Sequence, residues 1–123
     1  MPESSSILAT IRKMIGGDAE STDFDIDLIV AINSAISTLY QIGIETLKLD
    51  GSGFSVTGEE ETWDDLIGDY KYIDMVKGYI YDKVRLMFDP PQNSFLTKAI
   101  QDRILETEWR LTVTIETDND SEE

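Results

Sequence analysis

The sequence contains neither cysteine nor histidine among its 123 residues. The absence of both residue types excludes thiol and imidazole nucleophiles, disulfide bonds, Cys/His zinc sites and histidine general bases. The longest uninterrupted apolar run, residues 28–32, is far too short to span a membrane, so we expect no membrane partner. Residues 1–6 lack a basic region, and we therefore expect no signal peptide.

Basic residues are also scarce. Ten lysines and arginines stand against 25 aspartates and glutamates, which gives a net charge of −15. A chain of this charge repels phosphates, which argues against ordinary DNA binding through a basic patch. The charge fits an acidic solvated surface, a basic partner, or a wall past which DNA slides without sticking.

Residues 73–109 predict two helices joined by a rigid corner. Pro90 and Pro91 lack amide hydrogens and fix φ, so the first helix must end just before them. Asn93 or Ser94 can then cap the second helix. We expect the first helix to be central, because its apolar residues form two stripes at three-four spacing. These stripes are Ile73, Val76, Ile80, Val84 and Met87, and Tyr72, Met75, Tyr79 and Leu86.

Two further helices are predicted nearer the N-terminus. Ser6 can cap a helix that ends at Gly16-Gly17, and another helix begins at Thr22 or Asp23 and ends at Gly43. The expected apolar face of the latter is Ile26, Ile29, Ile32, Ile36, Leu39 and Tyr40.

From residue 44 to residue 62 the helical period is absent. Asp50-Gly51-Ser52-Gly53 is a turn signal, and apolar residues alternate with others on both sides of it. The pattern predicts either a small β-hairpin or an ordered loop. The alternating residues are Leu47, Leu49, Phe54 and Val56.

No metal or cofactor site is predicted. Residues 50–61 match the first and twelfth positions of an EF-hand loop, but Phe54 and Ser55 stand where an oxygen ligand and a glycine are required. The carboxylates at 59–61 and 64–65 are adjacent, whereas a glycosidase needs two carboxylates across a cleft. We therefore predict that the chain is not an enzyme.

The pattern changes again after Trp109. Leu111, Val113 and Ile115 alternate with polar residues, which predicts a short strand or extended arm. Residues 116–123 are acidic and predict a disordered tail. The expected fold is mainly α: one domain over 1–115, built as a bundle of about four helices with the hairpin or loop insertion and the C-terminal arm.

Several residues are candidates for a protein interface. An indole combines a large apolar area with one hydrogen-bond donor, as anchors of interfaces do. The C-terminal arm can either pack on the chain's own core or add to a neighbour's sheet edge, and the sequence favours neither. The candidates are Phe54, Trp63, Trp109, Arg110, Leu111, Val113 and Ile115.

Five groups of short motifs follow one another in a specific order and spacing. They are Thr22-Asp23-Phe24-Asp25 with Ile32-Asn33-Ser34-Ala35, Gly53-Phe54-Ser55-Val56 with Thr62-Trp63, Tyr79-Ile80-Tyr81 with Lys83-Val84-Arg85-Leu86, Phe88-Asp89-Pro90-Pro91 with Ser94-Phe95, and Glu108-Trp109-Arg110-Leu111. In this order the chain resembles, from about residue 7 to residue 115, the head–tail connector (neck adaptor, head completion) proteins of tailed bacteriophages of Gram-positive hosts.

The resemblance implies a mainly helical subunit without catalytic residues. It also implies a ring, typically dodecameric, that docks beneath the portal protein, extends the DNA channel and receives a stopper or tail completion protein. DNA would pass through this channel without specific binding. The expected location is the neck of the virion, after synthesis in the host cytoplasm.

Two rival functions come from other classes. An acidic inhibitor that mimics DNA would also carry a large negative charge, but the acids show no spacing that matches phosphates. An enzyme is the weakest alternative, because the sequence holds no recognisable set of catalytic residues.

The charge generates a first prediction. Because each chain carries −15, the isolated protein should not bind duplex DNA at physiological salt. A gel-shift titration with duplexes of unrelated sequence measures this, and tight binding independent of sequence would contradict it.

Overall fold

The computed structural model describes residues 6–16, 22–42, 55–67, 72–88 and 90–121, with only the backbone described over 115–121. In these ranges the chain is mainly helical, as predicted, and contains no strand. One 3-10 turn, Thr22–Phe24, precedes the second helix. The α-helices are α1 (Ile7–Ile15), α2 (Asp25–Ile42), α3 (Trp63–Ile67), α4 (Ile73–Phe88) and α5 (Ser94–Ser121).

Both ends of α1 have the residues that the sequence predicts. The Ser6 hydroxyl accepts a hydrogen bond from the amide of Ala9 at 3.2 Å and so satisfies one of the free amides of the first turn. Gly16 ends the helix with φ of 72°, and its amide donates to the Arg12 carbonyl at 3.0 Å. Glycine adopts this left-handed conformation without the steric cost that a Cβ would bring.

The starts of α3 and α5 are also capped, the second of them as predicted. Thr62 accepts a hydrogen bond from the Asp65 amide at 3.0 Å, while the Asp65 carboxylate accepts one from the Thr62 amide at 3.1 Å. This reciprocal pair is a capping box. At α5, the side-chain oxygen of Asn93 accepts from the Phe95 amide at 2.7 Å. The corner at Pro90 and Pro91 thus separates two helices with defined ends.

Helix α4 is central, which confirms the prediction from its two apolar stripes. It packs against α1, α2 and α5. A helix that contacts neighbours on several sides must be apolar over more than one face, because each face buries side chains. At its C-terminal end, the Phe88 ring meets the Phe24 ring edge-on, with centroids 5.6 Å apart. The buried residues of α4 are Val76, Tyr79, Ile80, Asp82 and Val84.

The buried face of α2 is rotated from the one that the sequence indicated. Ile26, which we expected in the core, is 78% exposed, and Tyr40 is also exposed. Much of α2 is apolar around its circumference, so periodicity alone does not select a face. Small side chains at Ala31 and Ala35 are buried instead, and they allow close approach of the neighbouring helix. The buried set is Leu28, Ala31, Ile32, Ala35, Ile36 and Leu39.

Part of the segment between α2 and α3 is held by side-chain hydrogen bonds to its backbone. Asn33 on α2 accepts from the Val56 amide at 2.7 Å and donates to the Val56 carbonyl at 3.0 Å. The Ile7 amide donates to the Glu61 carbonyl at 3.1 Å, beside an isolated bridge between Ser6 and Thr62. These bonds satisfy backbone groups without a sheet. The predicted turn at 50–53, with Leu47, Leu49 and Phe54, lies outside the described residues.

The predicted C-terminal arm is wrong, because α5 continues through Ser121. Leu111, expected on an extended arm, is fully buried in the core. It lies seven residues after Ile104 and eleven after Ile100, two and three helical turns, and both of those residues are buried as well. Burial of this face outweighs the weak strand preference of the β-branched residues. Residues 116–121, assigned to the acidic tail, have helical backbone in the same α5.

The corrected position of Leu111 generates a second prediction. Leu111→Ala should lower the free energy of unfolding by about 2–5 kcal/mol, because it opens a cavity in the core. The control Val113→Ala, two residues along the same helix and 37% exposed, should cost less than about 1 kcal/mol. Urea unfolding followed by circular dichroism measures both. Equal losses in the two variants would place Leu111 outside the core.

Candidate functional site

The outer face of α5 carries several exposed apolar side chains, among them the most exposed large apolar side chain of the described residues, Phe95. Phe95 is 85% exposed and Trp109 is 66% exposed. With Leu105 and Val113, they fall on one side of a 3.6-residue helix. We call these four residues the α5 stripe. Monomeric proteins rarely leave aromatic residues exposed along one helical face unless that face binds something.

The α5 stripe is interrupted by a charged pair. The Lys98 ammonium lies 3.3 Å from the Asp102 carboxylate, one helical turn away, and both side chains are exposed. One turn beyond, Arg110 and Glu106 pair at 2.9 Å on the flank of the stripe. Pairs of this kind contribute little to stability in water, so they leave both partners able to form other ion pairs.

Helix α5 is also joined to α4 by an ion pair whose carboxylate is buried, although the Arg103 side chain itself is 56% exposed. Arg103 donates two hydrogen bonds to Asp82, at 2.8 and 2.7 Å, and the Asp82 side chain is only 4% exposed. The hydrogen bonds to Asp82 raise the pKa of the Arg103 guanidinium. A bidentate contact between a planar guanidinium and a carboxylate fixes the orientation of the two groups as well as their distance. It therefore fixes which side of α5 faces outward.

A second polar contact lies further along the same pair of helices. The Tyr79 hydroxyl donates to the Glu108 carboxylate at 2.6 Å. Burial of the phenol and this hydrogen bond raise the pKa of Tyr79. The neutral phenol is the form that can donate, so the contact is present over the whole physiological range. Together with Asp82–Arg103, it holds α5 at two points along its length.

An ion-pair cluster joins the N-terminal part of the fold. Arg12 on α1 contacts both carboxylate oxygens of Asp25, at 2.8 and 2.9 Å, and reaches Glu59 at 3.1 Å. Burial lowers the pKa of Arg12, but the hydrogen bonds that it donates to Asp25 and Glu59 outweigh this effect, so the pKa is raised. This cluster ties α1, α2 and the segment before α3 together. It is structural, since its charges satisfy one another.

Some of the predicted interface residues are exposed in the fold and others are buried. Trp109, Arg110 and Val113 lie on the outer side of α5, where a partner could reach them. Trp63 is 4% exposed, and its indole N–H donates to the Thr10 hydroxyl at 3.1 Å inside the fold. Trp63 is therefore a core residue of this chain.

The remaining candidates divide in the same way. Leu111 is buried in the core, because it faces inward from α5. Phe54 and the side chain of Ile115 lie outside the described part. Phe95 and Leu105 were not among the predicted interface residues. Their spacing from Trp109, at fourteen and four residues, is the signal that would have placed them on the same helical face.

Within the described ranges, no group of three or more acidic, histidine or cysteine side chains is placed to hold a metal ion. The Glu61 carboxylate instead accepts hydrogen bonds from the Thr57 hydroxyl at 2.6 Å and the Gly58 amide at 3.2 Å. Burial raises the pKa of Glu61, but these hydrogen bonds outweigh it and lower the pKa below its ordinary value. None of the helices searched there is long and apolar enough to cross a membrane.

An exposed apolar face on a helix that is held in place by polar contacts is typical of proteins that bind other proteins. Comparison with protein families makes the assignment more specific. The family model described as "Phage connector protein" matches residues 7–118. This chain belongs to the phage connector protein family. The searches of curated proteins and of solved structures found no match.

Membership supports the resemblance noted from the motifs. Phage connector proteins form a structural family rather than an enzyme family. They are virion components and contact other components of the virion. The match covers all five helices, nearly to the end of α5.

The ion pair between the buried Asp82 of α4 and Arg103 of α5 generates a third prediction. Arg103→Ala should lower the free energy of unfolding by about 2 kcal/mol, because it leaves the buried Asp82 carboxylate without its partner. The control Arg110→Ala removes the same side chain from an exposed pair on the same helix and should cost less than about 0.5 kcal/mol. Urea unfolding of dilute protein compares the two. A similar loss for both would mean that the Asp82–Arg103 pair does not hold α5.

Proposed function

We propose that this chain is a subunit of a head–tail adaptor ring. The ring docks under the portal protein at one capsid vertex, extends the DNA channel and presents a surface to a stopper or tail completion protein. The observation that carries the proposal is the family match over residues 7–118. It covers the region that holds the core and the α5 stripe.

The α5 stripe supports an assembly role. Exposed aromatic residues on a fixed helix are typical anchors of protein interfaces, because they bury large area with little loss of side-chain freedom. Trp109 and Phe95 are both of this kind. A subunit that contacts several virion components needs such surfaces, and repeated weak contacts around a ring add through multivalency.

The charge supports the channel part of the proposal. A wall of net charge −15 per subunit repels the phosphates of a duplex, so DNA can slide through without being held. The same charge limits binding between free subunits, because like charges repel until specific contacts form. We propose that the protein is located in the virion neck and reaches it from the host cytoplasm.

Electron microscopy of the purified protein, alone and mixed with the portal protein of the same phage genome, tests the proposal. We expect rings, either free or docked on portals. Trp109→Ala should reduce docking or ring formation, because the indole is exposed on the α5 stripe. Met14→Ala, which shortens an exposed apolar side chain on α1, is the matched control.

The rival function has its own readout in the same preparation. If the protein stays monomeric, does not bind portals and inhibits a DNA-binding nuclease, its function is that of a DNA-mimic inhibitor and not of an adaptor. Circular dichroism of each variant checks that the fold is retained, so loss of assembly is not confused with unfolding.

A further inference from the structure

A second exposed row of side chains lies along α2. Ile26, Val30 and Tyr40 are exposed apolar residues, and the exposed Ser34 and Ser37 lie between them on the same helical face. We call these five residues the α2 stripe. Both α2 and α5 pack on α4 with their other faces, so each helix leaves one apolar row uncovered.

The two stripes have matching spacing when the helices are placed antiparallel. Ile26 and Tyr40 are fourteen residues apart, as are Trp109 and Phe95, so each of these two pairs spans about 21 Å along its axis. Val113 extends the α5 stripe about one turn further. In one register, Ile26 faces Trp109 and Tyr40 faces Phe95. The same register places Val30 opposite Leu105. Three apolar pairs therefore align with a single offset.

The polar residues match in this register as well. Ser37 lies level with Lys98, and Ser34 lies level with Gln101, one residue before Asp102, so both hydroxyls are near the charged pair that interrupts the α5 stripe. A hydroxyl can donate to a carboxylate and accept from an ammonium, which leaves these groups satisfied when water is displaced. The middle of the interface thus buries no unpaired charge.

Charge also favours α5 as the face that another copy meets. Over residues 94–114 the charges of α5 cancel, three basic against three acidic, in a chain of net charge −15. This stretch therefore adds no net repulsion toward an approaching acidic copy. In the antiparallel register, Asp27 and Arg110 project on the same flank of the pair. The charges that cancel over residues 94–114 belong to Lys98, Arg103 and Arg110 and to Asp102, Glu106 and Glu108.

We propose that the α2 stripe of one subunit packs antiparallel against the α5 stripe of a second copy of this chain. The two stripes belong to different helices, so the contact is heterologous, and repetition of it generates a closed ring or an open filament. Closure into a ring rests on the proposed function. The contact itself rests on the two exposed rows and their matched spacing.

Paired thiols test the contact directly, because the natural chain contains no cysteine. The variant Val30→Cys/Leu105→Cys, treated with a short bifunctional thiol reagent at the highest soluble concentration, should give a series of covalent dimers, trimers and larger species. Each subunit carries both halves of the contact, so the series extends beyond dimers. The two single-cysteine variants carry only one thiol per contact and should give no covalent series.

A mismatched pair is the control for register. Val30→Cys/Phe95→Cys places the thiols on the same two helices but shifts one of them by ten residues, about 15 Å along the axis. Little cross-linking is expected. Absence of the series from the matched pair, or equal cross-linking of both pairs, overturns the proposal.

Electron microscopy separates this inference from the proposed function. Rings without matched cross-links would leave the adaptor role in place and overturn the α2–α5 contact. Matched cross-links without rings would support the contact and count against the adaptor ring. Capture of the α5 stripe by portal alone, with no self-association, would also overturn the contact.

A charge-reversal pair provides an independent readout by sedimentation equilibrium. Arg110→Glu should weaken self-association about tenfold, because it places a carboxylate beside Asp27 of the neighbouring copy. Adding Asp27→Lys should restore most of the loss. An unchanged association constant in Arg110→Glu, or no recovery in the double variant, would remove this ion pair and the register that predicts it.

Discussion

The burial of α4 on several sides is the constraint on which the rest of the structure depends. This helix contacts α1, α2 and α5, so its side chains form the shared core of the described residues. Each neighbouring helix needs only one apolar face to join that core. The outer faces of α2 and α5 are therefore free to carry apolar residues for another purpose.

Polar contacts then decide how α5 is oriented on this central helix. The Asp82–Arg103 pair and the Tyr79–Glu108 hydrogen bond fix its rotation, which directs the Trp109 side outward. Apolar packing alone tolerates small rotations of α5 about its axis, whereas a bidentate ion pair does not. The family of phage connector proteins requires surfaces that meet other virion components, and a fixed aromatic face on an otherwise acidic subunit suits that requirement.

The candidate site was only partly predictable from the sequence. Trp63 and Trp109 are the same residue type and were both predicted as interface anchors, yet Trp63 is buried and Trp109 is exposed. No local pattern separates them, because the difference arises from contacts with residues distant in sequence, such as Thr10 for Trp63. The position of Phe95 and Leu105 on the same face as Trp109 follows from their spacing in the sequence, but only if the helix is known to extend without a break.

The sequence by itself determined where α1 and α5 begin and which helix is central. The caps at Ser6 and Asn93 depend on hydrogen bonds within two or three residues, so local chemistry is sufficient. Only the tertiary structure decided the state of residues 111–115. Leu111 and its neighbours alternate as strand residues do, but Leu111 also falls on the helical face of Ile104. Over so short a stretch the same apolar residues fit both the two-residue period of a strand and the 3.6-residue period of a helix. Burial against the rest of the fold selects the helix.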